Sequence, residues 1–284
     1  MRILVFGENG QVGSALMRLL GDQHEVRGLD QADLDLAQSD QVESTIHAYA
    51  PDWVINASAY TAVDKAESEV ELVDAINHLA PAAMARACAS LNCGLLHYST
   101  DYVFDGSAER PYLENHQPNP QSVYGSTKLA GERAVMRECP QAIILRTAWV
   151  YAEQGANFVK TMLRLADERD ELGVVADQFG SPTLAYDLAK VSVSIIENTP
   201  LEQLRDVAGV YHATGSGMTS WYGFAREIFS LAGKDIKLNA ISTEDYPTPA
   251  PRPKYSVLSN EKLQRVFGVA LPAWQESLAK TIKT

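Results

Sequence analysis

The sequence is short of cysteine, of basic residues and of long apolar runs, and each shortage excludes a class of protein. Its three cysteines, Cys88, Cys93 and Cys139, have no paired spacing, so we expect reduced packing residues rather than a disulfide framework or a zinc site. No run approaches the ~18 apolar residues of a transmembrane helix. The formal net charge of -12, from 36 acidic and 24 basic residues, argues against a nucleic-acid partner. We therefore expect a cytoplasmic globular protein with no membrane partner.

The sequence does contain a regular alternation of short β-rich runs and amphipathic segments. With 284 residues, 46% of them hydrophobic, the chain can bury a large core. The expected strands of the first half are 3–6, 24–29, 53–56, 94–99 and 142–147. The expected helices are 11–21, 39–49, 70–91, 123–137 and 157–167. This alternation predicts an α/β fold with a doubly wound parallel sheet covered by helices on both faces.

The pattern becomes less regular after about Trp149. Shorter strands are expected at 172–176, 210–214 and 237–240, and helices at 184–197, 220–232, 260–267 and 273–282. The prolines of residues 246–253 predict an extended loop, because proline fits neither a helix interior nor a central strand. We expect a first domain at 1–150 and mainly a smaller C-terminal lobe at 151–284, with some later segments returning to the first domain.

A glycine-rich turn joins the first strand to the first helix. Gly7, Gly10 and Gly13 have the spacing G-x-x-G-x-x-G, and Gln11 and Val12 open the helix. Glycine allows a tight turn and lets a pyrophosphate approach the N–H groups of a helix N-terminus, where the helix dipole favours anions. Because a strand precedes this turn and a helix follows it, a dinucleotide site is favoured over an ordinary tight turn.

Asp30 ends the second expected strand, 30 − 10 = 20 positions beyond Gly10. A carboxylate at this place accepts hydrogen bonds from the adenosine ribose, although a solvated turn acid is the alternative. The 2′-phosphate of NADPH would meet this charge with Arg27 as the only nearby offset, so we expect NADH to be slightly favoured over NADPH. Asp35 and Leu36 resemble the acid-plus-apolar step that meets adenine in similar proteins.

The next two strands end in small or hydroxyl-bearing residues. Because carboxyl ends of parallel strands share one edge of a sheet, these residues are expected to line the same crevice, unless the third strand merely has a small-residue exit. The candidates after the third strand are Ala57, Ala59, Tyr60 and Thr61. The candidates at the fourth strand are Tyr98 and Thr100.

Tyr124 and Lys128 are four residues apart, a spacing that puts a phenol and an ammonium on one face of a helix. A nearby cation favours the phenolate, so we expect Lys128 to move the pKa of Tyr124 toward neutrality. Alone, the pair is also typical of a solvated helix face. Its meaning depends on the glycine turn and on Thr100, which are expected in the same crevice.

Taken together, these residues resemble the extended short-chain dehydrogenase/reductase family over essentially the whole chain. The motifs that carry the resemblance further lie at 63–67, 99–106, 124–132, 146–151 and 251–253. The resemblance implies a Rossmann-like dinucleotide-binding domain at 1–150 and a substrate-binding lobe at 151–284. The implied reaction is reduction of the 4-keto group of dTDP-4-dehydro-L-rhamnose by NADH or NADPH, in cell-surface polysaccharide (lipopolysaccharide or O-antigen) biosynthesis.

The resemblance also implies roles for individual residues. Tyr124 would donate a proton to the C4 oxygen, Thr100 would orient and polarise the carbonyl, and Lys128 would hold the nicotinamide ribose. The implied contacts of the dTDP-sugar are Asp101, Tyr102, Trp149 and, at the diphosphate, Arg252. The alternatives are a core residue for Trp149, a packed loop anchor for Tyr102 and a solvated arginine for Arg252.

The pattern departs from the family in one respect. Some members are dimers bridged by magnesium through glutamates, whereas this chain has Ala15 and Tyr186 at those places. Neither side chain offers a carboxylate to a hard cation, so no structural metal is expected. Both a monomer and a homodimer stay open.

Two other functions also stay open. Related dehydratases carry Asp-Glu directly after the catalytic threonine, but here Asp101 is followed by Tyr102. Epimerases of the same fold are excluded less firmly. The second alternative is a non-catalytic NADP-binding regulatory subunit, against which the presence of Thr100, Tyr124 and Lys128 favours an enzyme.

Overall fold

A computed structural model describes residues 1–283 of the protein. The strands, in chain order, are β1 (Arg2–Phe6), β2 (Glu25–Leu29), β3 (Trp53–Asn56), β4 (Gly94–Thr100), β5 (Ile143–Thr147), β6 (Val150–Tyr151), β7 (Glu171–Val175), β8 (Phe179–Gly180), β9 (Thr183–Leu184), β10 (Gly209–His212), β11 (Thr219–Ser220) and β12 (Lys237–Ile241). The helices are α1 (Gln11–Leu20), α2 (Ser39–Tyr49), α3 (Val63–Ala66), α4 (Val70–Asp74), α5 (Ala80–Leu91), α6 (Val123–Glu138), α7 (Phe158–Glu168), α8 (Ala185–Asn198), α9 (Leu204–Val207), α10 (Trp221–Ala232), α11 (Glu261–Phe267) and α12 (Trp274–Lys283).

The central sheet has six parallel strands in the order β10-β5-β4-β3-β1-β2. All seven residues of β4 are buried, because helices cover both faces of the sheet. The strand order reverses between β1 and β3, and ligands of such sheets bind at the carboxyl ends of the strands beside the reversal. The predicted doubly wound α/β class is confirmed.

The last strand of the central sheet comes from late in the chain. β10 pairs with β5, so residues 209–212 complete a sheet that begins at Arg2. A different core cluster collects residues beyond Trp149, among them Val159, Phe224 and Leu278. This second cluster lies among α7, α10 and α12, and the two-stranded pair β7 and β12 packs beside it.

The segment predicted as one helix at 70–91 contains a π-helical turn instead. α4 ends at Asp74, residues Ala75–Leu79 form the π-turn, and α5 follows. Pro81 has no N–H to give to the carbonyl of Asn77 four residues earlier, so the regular helical ladder cannot continue through this point. The freed Asn77 carbonyl packs against α6, where a Cβ on Gly131 would lie 2.2 Å from it.

Cys139 is distant in sequence from Cys88 and Cys93, but all three cysteines share one core cluster. Cys88, Cys93 and Cys139 are free and buried, which confirms their interpretation as packing residues. Among residues 1–283, no helix is both long and apolar enough to cross a membrane.

A buried ion pair joins α6 to the central sheet. Glu132 accepts hydrogen bonds from Arg146 Nε at 2.8 Å and Nη2 at 2.6 Å, and also from the Ser99 hydroxyl. The side chains of Arg146 and Glu132 are only 4% and 3% exposed. This pair therefore fixes the position of α6 over β4 and β5.

We expect Arg146→Met to lower the free energy of unfolding by about 3–5 kcal/mol, because it leaves the Glu132 carboxylate buried and unpaired. The double variant Glu132→Gln/Arg146→Met should lose less than the single variant, since it removes both charges. Urea unfolding followed by tryptophan fluorescence measures both. A loss below about 1 kcal/mol for Arg146→Met, the range of a surface pair, would contradict this account.

Candidate functional site

A cleft of about 1310 Å³ opens at the carboxyl ends of the central strands. It brings together most of the residues predicted from the sequence. The predicted residues that line it are Gly7, Gly10, Gln11, Val12, Asp30, Asp35, Leu36, Ala57, Ala59, Tyr60, Thr61, Tyr98, Thr100, Asp101, Tyr102, Tyr124, Lys128 and Trp149. Gly13 and Arg252 do not line it.

The glycine turn has the close packing that a pyrophosphate-binding turn requires. Gly7 has φ +84°, which favours glycine, and a Cβ on Gly13 would lie 1.9 Å from the Gly7 carbonyl oxygen. Gly13 thus acts inside the turn, by letting α1 approach β1. Gly10 precedes α1, whose first turn carries no acidic residue. The free N–H groups of this helix end fit an anionic group such as a pyrophosphate.

Asp30 is held in place at the end of β2. Its carboxylate accepts hydrogen bonds from the Ala32 N–H at 2.7 Å, the Asp33 N–H at 3.3 Å and the Asn9 side chain. These hydrogen bonds, above all the one from Ala32, keep the pKa of Asp30 below its ordinary value. The Arg27 guanidinium lies 5.8 Å from the centre of the Tyr49 ring. The role of Arg27 as the nearby offset for the charge of Asp30 stays a prediction.

Tyr124 and Lys128 lie on the cleft side of α6, but their electrostatics differ from the sequence-based expectation. Burial raises the pKa of Tyr124 to about 12, and hydrogen bonding with Thr100 opposes the rise. Burial lowers the pKa of Lys128 to about 8, against the attraction of Glu132. Lys128 Nζ donates to the Tyr98 carbonyl at 2.7 Å. In the free protein desolvation therefore has the largest effect on Tyr124, which stays protonated at neutral pH.

Thr100 and Asp101 connect the end of β4 to a 3₁₀ turn. The Thr100 hydroxyl accepts from the Tyr102 N–H at 3.2 Å and donates to Asp101 Oδ1 at 3.1 Å. Asp101 is buried, and burial raises its pKa to about 6. The Tyr102 and Tyr124 rings meet edge to face with centroids 5.5 Å apart. A hydroxyl, a carboxyl and two phenol rings therefore meet at one end of the cleft.

Trp149 is both a cleft residue and a packing residue. Its indole stacks on Trp221 with ring centroids 3.6 Å apart, and its backbone has φ +48°. A Cβ on Gly180 would lie 2.4 Å from the indole, so glycine is needed there for space. The stack holds one edge of the cleft rigidly beside α10.

Arg252 lies in a smaller cavity beside the cleft. Its Nη2 pairs with Asp64 Oδ2 at 2.9 Å. The cavity has about 100 Å³ and shares Tyr102 with the cleft. Arg252 is therefore close to the cleft but already bound to a carboxylate.

Several cleft residues were missed by the sequence analysis. They are Asn9, Ser58, Lys65, Thr147, Val150, Gln154, Gly155 and Ala156, among others. Thr147 pairs in register with Thr100, and within the described residues its buried hydroxyl has no hydrogen-bond partner. Its place at the end of a predicted strand could have identified it. Gln154–Ala156 could not be found this way, because Asn157 ties their loop to Gln11 through a tertiary hydrogen bond of 3.2 Å.

One acidic cluster has metal-ligand spacing. Within residues 1–283, Glu8, Asp30 and Asp33 form the sole such group, with carboxylate oxygens within 4.8 Å of one another. Exposed acidic groups of this kind are common without an ion. Tyr186 stands where some members of the family have a metal-bridging glutamate, and the Arg18 guanidinium lies 4.9 Å from the centre of its ring. The absence of a structural metal stays a prediction.

The glycine turn, the strand-end hydroxyl and the Tyr-x-x-x-Lys pair in one cleft are the features of a short-chain dehydrogenase/reductase. The family model described as "RmlD substrate binding domain" matches residues 1–284. The dTDP-4-dehydrorhamnose reductase of Sinorhizobium fredii is 46% identical over 99% of this chain and 97% of its own length. The chain belongs to this family of dTDP-4-dehydrorhamnose reductases.

Solved structures agree with that membership. A dTDP-4-dehydrorhamnose reductase from Clostridium acetobutylicum has a TM-score of 0.94 and 44% identity, covering 100% of this chain and 99% of its own. The Bacillus anthracis dTDP-4-dehydrorhamnose reductase, in complex with NADP, has a TM-score of 0.93 and 37% identity over the same shares. The suspected resemblance is confirmed.

The raised pKa of Asp101 predicts a pH-dependent stability difference. A carboxyl whose pKa is higher in the folded state than its ordinary 3.8 stabilises the fold fully below 3.8, and this contribution is lost as the pH rises through about 6. Asp101→Asn does not titrate. We therefore expect the variant to gain about 2–3 kcal/mol relative to wild type between pH 4 and pH 8. Urea unfolding at both pH values measures the gain, and an equal gap at both would refute the raised pKa.

Proposed function

We propose that this protein reduces the 4-keto group of dTDP-4-dehydro-L-rhamnose to give dTDP-L-rhamnose, using NADH or NADPH. The observation that carries the proposal is the convergence of Tyr124, Thr100 and Lys128 at one end of a cleft whose other end is the glycine turn. Relatives at 41–46% identity bear the name of this reductase. None of the named alternatives, dehydratase, epimerase or regulatory subunit, has a comparable observation in its favour.

The residues of the cleft divide the proton chemistry among them. Tyr124 is protonated at neutral pH and stands beside Thr100, so it can give its proton to the C4 oxygen. The Thr100 hydroxyl donates to Asp101 Oδ1 in the free protein and can turn to donate its one hydrogen bond to the same C4 oxygen when the sugar binds. Lys128 is held by the Tyr98 carbonyl on the cleft side of α6, where it can bind the nicotinamide ribose. The bound reduced dinucleotide supplies the hydride.

The dinucleotide would lie along the edge of the sheet from α1 to α6. Gly7, Gly10 and the N-terminus of α1 would hold the pyrophosphate, and Asp30 would accept hydrogen bonds from the adenosine ribose. Asp35 and Leu36 would border the adenine. The NADP complex of the Bacillus anthracis relative supports NADPH as one possible cofactor, while Asp30 favours NADH.

The sugar nucleotide would lie between the first 150 residues and the lobe that follows. Tyr102 and Trp149 offer ring surfaces to the deoxysugar, and Asp101 is close to the Thr100 hydroxyl. Arg252 would reach the diphosphate with the N–H groups that Asp64 leaves free. We infer a cytoplasmic location, where free cysteines stay reduced, and we leave the choice between monomer and homodimer open.

The function is tested by mixing the protein with NADH or NADPH and the dTDP-linked 4-keto sugar, and by following the absorbance of the reduced dinucleotide. We expect oxidation of the dinucleotide only when the sugar is present. A protein that binds the dinucleotide but oxidises neither form would defeat the reductase proposal and favour the regulatory-subunit alternative.

Tyr124→Phe removes the proton donor and keeps the ring that packs on Tyr102. We expect kcat to fall about 10²–10⁴-fold with the dinucleotide Kd nearly unchanged, because general acid catalysis is lost and binding surface is not. Tyr49→Phe is the matched control, since Tyr49 lies on α2 away from the cleft. A Tyr124→Phe protein with more than half of the wild-type kcat would remove Tyr124 from the mechanism.

A further inference from the structure

The side chain of Glu8 occupies the space that a side chain at position 28 would fill. A Cβ built on Gly28 would lie 1.9 Å from Glu8 Oε2 and 2.7 Å from Glu8 Cβ. The Glu8 side chain therefore crosses β2 at the one strand position that has no side chain of its own. The Gly28 backbone is not in the left-handed region, so the Glu8 side chain is what an added Cβ would meet there.

This position puts a second carboxylate next to Asp30, although Glu8 itself does not line the cleft. One carboxylate oxygen each from Glu8, Asp30 and Asp33 lies within 4.8 Å of the other two. Asp30 itself lines the cleft, and backbone N–H groups and Asn9 hold it there. Glu8 thus adds negative charge behind Asp30, the cleft residue at which the adenosine ribose would bind.

The basic residue of β2, Arg27, points away from this carboxylate cluster. Side chains of adjacent strand residues point to opposite faces, so Gly28 faces Glu8 while Arg27 lies over the Tyr49 ring. The NADP complex of the Bacillus anthracis relative shows that this fold can accommodate a 2′-phosphate in that protein. Discrimination at this end of the cleft therefore depends on individual side chains.

We propose that Glu8, seated in the space left by Gly28, is a specificity residue that makes the cleft bind NADH in preference to NADPH. The 2′-phosphate of NADPH would approach Asp30 and also be repelled by the Glu8 carboxylate close behind it. NADH instead presents a ribose hydroxyl, from which the Asp30 carboxylate can accept a hydrogen bond. The inference rests on the proposed dinucleotide-dependent function and adds a residue that selects between its two cofactors.

The test measures the Kd of NADH and of NADPH by isothermal titration calorimetry, without sugar substrate. Glu8→Gln keeps the shape and removes one charge, so we expect NADPH to bind about tenfold tighter and NADH to change less than about twofold. Gly28→Ala adds the Cβ that displaces Glu8 and should shift the ratio of the two Kd values in the same direction. High salt should weaken the wild-type preference, because it screens exposed charges.

Glu25→Gln is the matched control. Glu25 lies on β2, the strand of Gly28, and carries the same charge as Glu8, but it pairs with Arg2 and is not part of the carboxylate cluster. An equal shift in Glu25→Gln and Glu8→Gln would overturn the inference, because net charge would explain it. Binding of both dinucleotides with an unchanged ratio in Glu8→Gln would overturn the inference and leave the proposed function intact. A wild-type protein that binds neither would overturn the proposed function and this inference with it. Glu8→Gln alone decides if Gly28→Ala does not fold.

Discussion

The site depends on one turn of α6, whose buried Lys128 and Glu132 side chains form hydrogen bonds with the end of β4. Lys128 donates to the Tyr98 carbonyl, and Glu132 accepts from Ser99 on the next residue of the strand. A buried charge without a partner is costly, so these contacts hold the helix in one position on the strand. Tyr124 lies one turn before Lys128. These contacts therefore set the distance between the Tyr124 phenol and the Thr100 hydroxyl at the end of β4.

The burial that strengthens these contacts also determines which groups of the site are protonated. Desolvation disfavours whichever form of a group is charged, so it raises the pKa of Tyr124 and Asp101 and lowers the pKa of Lys128. A protonated Tyr124 is the form that a reduction requires, since the developing alkoxide must receive a proton.

Local spacing was enough to predict much of the fold and the core of the site. The Gly7 turn, the strand-end Thr100 and the Tyr124 helix each have a signal within a few residues, and the carboxyl ends of parallel strands then bring them together. The π-turn at Ala75–Leu79 was missed because the preference of 70–91 for helix hides the effect of one proline. The direction of the Tyr124 pKa shift was wrong, because it depends on burial by the whole fold.

The two ends of the cleft differ in how freely their residues can change. At the end beside Tyr124, the groups on α6 and β4 are buried and share partners, so substitution of one disturbs the others. At the end beside β2, Asp30 and Asp33 accept hydrogen bonds from backbone N–H groups of their own loop, and the Glu8 side chain packs on Gly28. A side chain there can change without moving the reacting groups. Cofactor choice can therefore vary within this fold while the chemistry at Tyr124 stays the same.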